Sequence, residues 1–138
     1  MSGKDMLWQD DNWCFACGDD NPRGLHMDFR RDGEWYVCDF KPERFHQGWM
    51  GIVHGGILST LLDETMNDIL SRDGRPVATA ELTMRFKRPA KTGVPLRIRA
   101  RITRERPPLY EAEGEITDAE GRVVATGSAK MIEVKSDI

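Results

Sequence analysis

The sequence predicts an α+β domain in which one long helix is held against an antiparallel sheet. Between Gly55 and Leu70 the apolar residues fall at 57, 58, 61, 62, 66, 69 and 70, the spacing of one helix face. Four stretches of strand character follow that segment and two precede it, separated by glycine and proline breaks. At 138 residues the chain predicts a single domain spanning 1–138, large enough to bury a core. It has no internal repeat, low-complexity tract or linker.

Residues 1–24 form an N-terminal cap segment rich in turn formers: Asp10-Asp11-Asn12, Gly18 to Asn21, Pro22 and Gly24. Trp8 and Trp13 are expected to pack this segment onto the sheet. Leu25 to Arg31 alternates apolar and polar side chains, and Asp32-Gly33 is a hairpin signal before a second strand, Glu34 to Lys41. Pro42 ends that strand, and the loop Glu43 to Met50 leads into the helix. Asp73-Gly74 with Pro76 closes the helix. A four-strand meander follows: Val77 to Arg88, Val94 to Arg106, Leu109 to Asp118 and Arg122 to Val134. Its breaks are Pro89, Gly93 and Pro95, then Pro107-Pro108, then Asp118 to Gly121. In the second of these strands Leu96, Ile98, Ala100 and Ile102 alternate with Arg97, Arg99, Arg101 and Thr103, so one face is apolar and the other wet.

A hydrophobic content of 39% with 31% charged residues is that of an ordinary soluble protein. The net charge of −3 argues against nucleic acid as a partner, because phosphate binding normally needs a basic footprint. No apolar run reaches the length of a membrane span, and the polar N-terminus has no signal-peptide core. The expected location is the cytoplasm. Three cysteines, Cys14, Cys17 and Cys38, are an odd number and do not suggest a disulfide framework. Cys14 and Cys17 have metal or redox spacing, and His26 with Cys38 would complete a four-ligand zinc set. A second Cys-x-x-Cys is missing, and the expectation is no zinc, no other metal and no disulfide.

The start of the helix carries the chemistry. Gly55 and Gly56 stand where a helix leaves backbone N–H groups without partners and carries partial positive charge. Glycine lets another group approach that backbone, so the pair suits an anion or a polarised carbonyl. At about 100° per residue, Asp63 falls just beyond one edge of the apolar arc, beside Thr60 and Asn67. Glu64 falls near the opposite edge, beside Asp68. A site built on the stripe of Thr60, Asp63 and Asn67 uses one carboxylate, Asp63. Such a stripe is also what the wet face of any amphipathic helix looks like.

Phe45-His46-Gln47-Gly48-Trp49-Met50-Gly51-Ile52-Val53-His54-Gly55-Gly56, followed by Leu61-Leu62-Asp63-Glu64, resembles the signature of the PaaI-type acyl-CoA thioesterases. The resemblance runs from about Cys14 to the C-terminus and includes the Cys-Phe-x-Cys-Gly-x-x-Asn-Pro-x-Gly-Leu opening. It implies the hotdog fold, a long central helix wrapped by an antiparallel sheet, with two protomers joining their sheets edge to edge. The site would then lie at the dimer interface, and dimers sometimes pair into tetramers. In that family the acidic residue nine positions after the His of His-Gly-Gly is general base or nucleophile, which here is Asp63. The resemblance also implies that the Gly55 N–H polarises the thioester carbonyl. By register, Thr79 matches a residue that positions water, with Asn67 beside the carboxylate and His54 and Gly56 at the substrate. An Asn or Gln usual seven residues before the first glycine is Gly48 here, and Gln47 and His46 are the adjacent candidates.

The implied reaction is hydrolysis of an acyl- or aroyl-CoA thioester, with coenzyme A entering as part of the substrate and no cofactor. Arg85, Lys87, Arg88 and Lys91 are the candidates for its phosphates. Solubilising charge on a wet strand face explains the same residues equally simply. A non-catalytic acyl-CoA or small-ligand binding domain would keep the glycine turn and cleft without needing the carboxylate. A hotdog hydratase or dehydratase with His46 or His54 as base is disfavoured, since neither its His-Phe-Pro nor its Asp-x-x-x-x-His pattern is present.

Overall fold

A computed structural model describes residues 8–134, so the first seven residues of the cap lie outside it. One helix, α1 (Gly55–Arg72), packs on a six-stranded antiparallel sheet. The strands are β1 (Arg30–Asp32), β2 (Trp35–Phe40), β3 (Val77–Phe86), β4 (Leu96–Arg106), β5 (Leu109–Thr117) and β6 (Val123–Glu133). Their spatial order is β1-β2-β4-β5-β6-β3. This is the hotdog arrangement: two strands, the helix, then four strands that curl around it.

The helix forms where the apolar stripe lies. Leu58, Leu61, Leu62, Met66, Ile69 and Leu70 are buried on it, together with Thr65, whose hydroxyl donates to the Leu61 carbonyl. It ends at Asp73, and Gly74 takes a φ of +81° that a side chain would strain. Opposite the stripe, Ile98 and Ala100 of β4, Tyr110, Ala112 and Ile116 of β5 and Met131 of β6 complete the core.

Two glycines set the distance between the layers. Gly114 of β5 and Gly127 of β6 are directly paired across the sheet. A Cβ on either would come within 2.7 Å of a Leu62 methyl. Leu62 therefore sits in a notch that any side chain would fill.

Two expectations about the N-terminal third are corrected. The strand expected over Leu25 to Arg31 pairs in the sheet only from Arg30, opposite Val37. The Leu25 and Met27 N–H groups donate instead to the Phe15 and Ala16 carbonyls, so that extended stretch serves the cap loop. His26, at φ +52°, breaks the strand geometry between them. Nor do Trp8 and Trp13 pack onto the sheet: they are 51% and 55% exposed and line a cleft beside α1.

Gly127→Ala is expected to destabilise the fold by about 1–3 kcal/mol through overpacking. Leu62→Ala alone should cost about 2–5 kcal/mol. Combined, they should cost less than their sum by at least about 0.5 kcal/mol, because the smaller residue frees the space that the new methyl needs. Urea unfolding of the four proteins checks this, and simple additivity would refute the close approach.

Candidate active site

The polar stripe of α1 meets the sheet at the edge strand β3. There the Thr79 hydroxyl donates to Asp63 Oδ1 at 2.7 Å. Asn67 Nδ2 lies 3.1 Å from the same carboxylate oxygen, 2.8 Å from Thr79 Oγ1 and 2.8 Å from the Asp63 carbonyl. One oxygen of Asp63 is thus held by two donors from two elements, which fixes the rotamer and leaves its other oxygen, Oδ2, without a hydrogen bond among the described residues. Thr60, also on the stripe, turns its hydroxyl back to the Gly56 carbonyl and stays out of the cluster.

Thr79 reaches Asp63 because β3 carries an irregularity between Thr79 and Glu81. Thr79 pairs with buried Met131, and Leu82, Met84 and Phe86 pair with Ala129, Gly127 and Ala125 of the same inner face. In an unbroken strand Thr79 and Leu82, three residues apart, would point to opposite faces. The bulge keeps both on the helix side.

At the start of α1, His54 is the N-cap residue, and its Nδ1 accepts the Gly56 N–H at 2.8 Å. The next two N–H groups, of Ile57 and Leu58, reach the His54 carbonyl. Among the described residues the Gly55 N–H makes no hydrogen bond. Of the two glycines singled out, Gly55 presents an open donor and Gly56 does not. The Phe86 ring flanks that spot, 3.6 Å from where a Gly55 Cβ would stand.

The loop before the helix uses its own polar groups. His46 Nδ1 accepts the Glu43 N–H at 2.9 Å, and Gln47 Oε1 accepts the Gly51 N–H at 3.2 Å. Burial holds the His46 imidazole below the usual histidine range, favouring the neutral ring that this bond requires. Both side chains brace the turn. A Cβ at Gly48 would meet the His54 ring at 3.4 Å, so that position faces the helix cap.

The basic residues separate into two groups. Arg85 lines a hollow of about 390 Å³ on the outer face of the sheet with Trp35, Glu113 and Glu115. Lys87, Arg88 and Lys91 lie exposed on the connection after β3, near the start of α1: Lys91 bridges to Ile52, and the neighbouring Ala90 carbonyl accepts the Val53 N–H. Among the described residues none of these four makes an ion pair. Arg97, Arg99, Arg101 and Arg104 of β4 pair with Asp39, Glu115, Glu113 and Glu111.

Asp63 and Asn67 line a cleft of about 860 Å³ whose far wall is the N-terminal cap, with Trp8, Trp13, Cys14 and Cys17. Glu64 lines it too, which corrects the assignment of the two carboxylates to separate surfaces. It does not join the Asp63 cluster. Its Oε2 lies 3.9 Å from Cys14 Sγ, and burial raises its carboxyl above the usual range. Burial and the nearby Glu64 carboxylate push the Cys17 thiol well up. The four-ligand set with His26 and Cys38 does not form: Cys38 is fully buried in the core, and its thiol faces the Asp39 carbonyl. The sequence reading missed Glu64 as the partner of the two cysteines. It lies 50 residues from Cys14 in the chain, and only the fold brings them together.

The fold and the family that the chain matches make it a thioester hydrolase by class. The chain belongs to the thioesterase superfamily, whose family model matches residues 50–125. Acyl-coenzyme A thioesterase 13 of Mus musculus is 30% identical over 97 residues, covering 68% of this chain and 69% of the mouse protein. The PaaI protein of E. coli, from the phenylacetic acid degradation operon, shares the fold with a TM-score of 0.74 at 20% identity, over 80% of this chain and 81% of that one. A hypothetical thioesterase protein of Streptococcus pneumoniae TIGR4, solved with coenzyme A, shares it with a TM-score of 0.73 at 20% identity, over 78% of this chain and 88% of that one.

His54→Ala should remove the helix cap and lower stability by about 0.5–2 kcal/mol, whereas His54→Asn, which retains a capping acceptor, should lose much less. Equilibrium unfolding in urea distinguishes them. Equal losses would show that His54 stabilises by packing and not by the bond to Gly56.

Proposed function

We propose that the protein hydrolyses acyl- or aroyl-CoA thioesters at a site shared by two protomers. Asp63 acts as general base for water or attacks the carbonyl carbon directly, Thr79 and Asn67 orient it, and the Gly55 N–H stabilises the oxyanion. Acyl-CoA is the substrate class of the relatives named acyl-coenzyme A thioesterase. The observation that carries the reading is the Asp63 carboxylate, gripped through one oxygen by Thr79 and Asn67 and presented to a cleft. A pure binding module has no use for a carboxylate held in that way.

The distance between the two halves of the chemistry argues for the dimer. Gly55 and Asp63 are eight residues apart on one helix, roughly 12 Å along its axis. A carbonyl held by the Gly55 N–H and attacked from Asp63 needs both within a few ångströms of it. No single protomer satisfies this. Two helices related by a two-fold axis near Ser59, the midpoint between them, would bring Gly55 of each opposite Asp63 of the other.

The chain has the surface for such pairing. β3 is a ten-residue edge strand whose outer edge pairs with no strand among the described residues, a feature that isolated domains avoid or cover. Phe86 at its end is 54% exposed, and Trp49 and Met50 beside the helix start are 85% and 91% exposed. A partner or a bound acyl chain would cover them. Lys87, Arg88 and Lys91, uncommitted to ion pairs, stand near the helix start and suit the coenzyme A phosphates. Arg85, on the outer face, would contact them only across a subunit boundary. Gln47, His46, His54 and Gly56 shape the turn around the oxyanion site. The chemistry runs on protein groups, with coenzyme A leaving as a thiol and no cofactor as reactant. A cytoplasmic location is part of this reading, and among the described residues no helix is long and apolar enough to cross a membrane.

Asp63→Asn should lower kcat by roughly two to four orders of magnitude while the protein stays folded and still binds coenzyme A in calorimetry. Glu64→Gln should lose far less, and comparable losses would mean that the wrong carboxylate has been assigned.

Gly55→Pro is the complementary variant. Proline is at home in the first helical position, and His54, at φ −61° and ψ 134°, already has the extended geometry that a following proline demands. It deletes the N–H and should reduce kcat by about 10²–10³. Refolded together from denaturant, the Asp63→Asn and Gly55→Pro chains should regain about a quarter of wild-type activity, since half of the dimers are mixed and each mixed dimer has one intact site. No recovery would place both groups in one protomer.

A further inference from the structure

The thiols of Cys14 and Cys17 and the carboxylate of Glu64 lie within 4.8 Å of one another on the wall of the cleft. They come from two segments that share nothing else in chemistry: a tight turn of the N-terminal cap and the second turn-pair of α1. We propose that Cys14, Cys17 and Glu64 bind a thiophilic divalent cation of the zinc class, with water in the fourth position, and that this ion ties the cap to α1.

The dimensions fit. A tetrahedral ion with metal–sulfur bonds near 2.3 Å and metal–oxygen bonds near 2.1 Å needs its donors roughly 3.5–3.8 Å apart. Cys14 Sγ and Glu64 Oε2 stand 3.9 Å apart, and the whole set needs only small side-chain rotations to close from 4.8 Å.

The turn is built to present sulfur. The Ala16 N–H points at Cys14 Sγ at 3.3 Å and fixes where that sulfur stands. The Gly18 N–H closes the turn onto the Cys14 carbonyl at 2.9 Å. A Cβ on Gly18 would stand 2.4 Å from the Cys14 nitrogen, so only glycine allows the two cysteines to curl toward the same point.

Charge points the same way. Asp10, Asp11, Asp63, Glu64 and Asp68 face the cleft, against a single arginine, Arg72, whose Nε is 3.2 Å from Asp68. A cation bound there would balance the charge of the ligands that it deprotonates. The ion is structural in this role. Asp63, bound to Thr79 and Asn67, is not among its ligands.

The proposal departs from the sequence-based expectation of no metal, which rested on the missing second Cys-x-x-Cys and the odd number of cysteines. A water-completed site has no such requirement.

The test does not read thioester turnover, so its failure and the failure of the proposed hydrolysis remain distinguishable. Protein purified without chelators, under reducing conditions, should carry about one zinc per chain by elemental analysis. Titrating the metal-free protein with cobalt(II) should give the near-ultraviolet charge-transfer band of a cobalt thiolate. Cys17→Ser should abolish that band. Glu64→Gln should weaken cobalt binding by more than about a hundredfold, beyond the effect of an outer-shell partner, while Asp63→Asn should leave it intact. Zinc should raise the thermal midpoint of metal-free wild type and not that of Cys17→Ser. No zinc together with no cobalt band would overturn the site, as would a band unaltered in Glu64→Gln. Mass spectrometry finding Cys14 and Cys17 joined as a disulfide, with the reduced protein still inert to cobalt, would also overturn it. The wild-type measurements decide even if a variant fails to fold.

Discussion

The seating of Leu62 between Gly114 and Gly127 is the contact on which the rest of the geometry depends. A helix lying on a sheet is normally held off by two layers of side chains. Here the sheet contributes none at the point of closest approach, and the leucine fills the space directly. That fixes both the height and the rotation of α1. Asp63 is the next residue, so the rotation that buries Leu62 turns Asp63 to the flank of the helix, and the height brings it level with Thr79 on β3. A larger residue at either glycine would lift the helix and lengthen a 2.7 Å hydrogen bond that tolerates little lengthening. Packing and site are in this sense one arrangement.

The outer face of the sheet obeys a different logic, and it explains why the basic residues are unequal. Along β4 and β5 arginine and glutamate face each other in register: Arg97 beside Asp39 of β2, Arg99 opposite Glu115, Arg101 opposite Glu113. Arg99 and Arg101 also stack on Trp35, at 4.1 and 4.4 Å from the ring centroid. Such exposed pairs contribute little stability one by one, but they neutralise a face that would otherwise carry a row of like charge. Arg97, Arg99, Arg101 and Arg104 are therefore committed within the sheet. Lys87, Arg88 and Lys91, past the end of β3, are exposed and make no ion pair among the described residues.

How much of this was legible in the sequence follows from which interactions are local. The helix and the four strands after it are patterned by period alone, and their boundaries differ from expectation by at most a few residues. The choice of Asp63 over Glu64 for the stripe needed only the angular step of a helix, and its hydrogen bonds to Asn67 and Thr79 agree with that choice. The bulge in β3 left no composition signal, so Thr79 was reachable only through the register of similar proteins. The first strand failed because alternation in Leu25 to Arg31 records burial, not the identity of the pairing partner: Leu25 and Met27 are buried against the cap. The two tryptophans failed for a related reason, since aromatic content signals packing in general and not which surface is packed. The partner of Cys14 and Cys17 was illegible because Glu64 reads locally as one more polar residue on a wet helix flank.

The proposed separation of functions along α1 follows from what each end of a helix can supply. Only the first turn has free N–H donors and the positive end of the dipole, so an oxyanion site belongs there. A base has the opposite need. At the helix start its negative charge would be stabilised by the same dipole and its basicity reduced, whereas two turns further in, that influence has faded. A carboxylate in mid-helix also gains neighbours at i+4, and here Asn67 takes that place and links Asp63 to the sheet. The two requirements cannot be met at the same point on one helix. The proposed pairing with a second copy, antiparallel to the first, would reconcile them by laying the donor end of each helix against the carboxylate-bearing middle of the other.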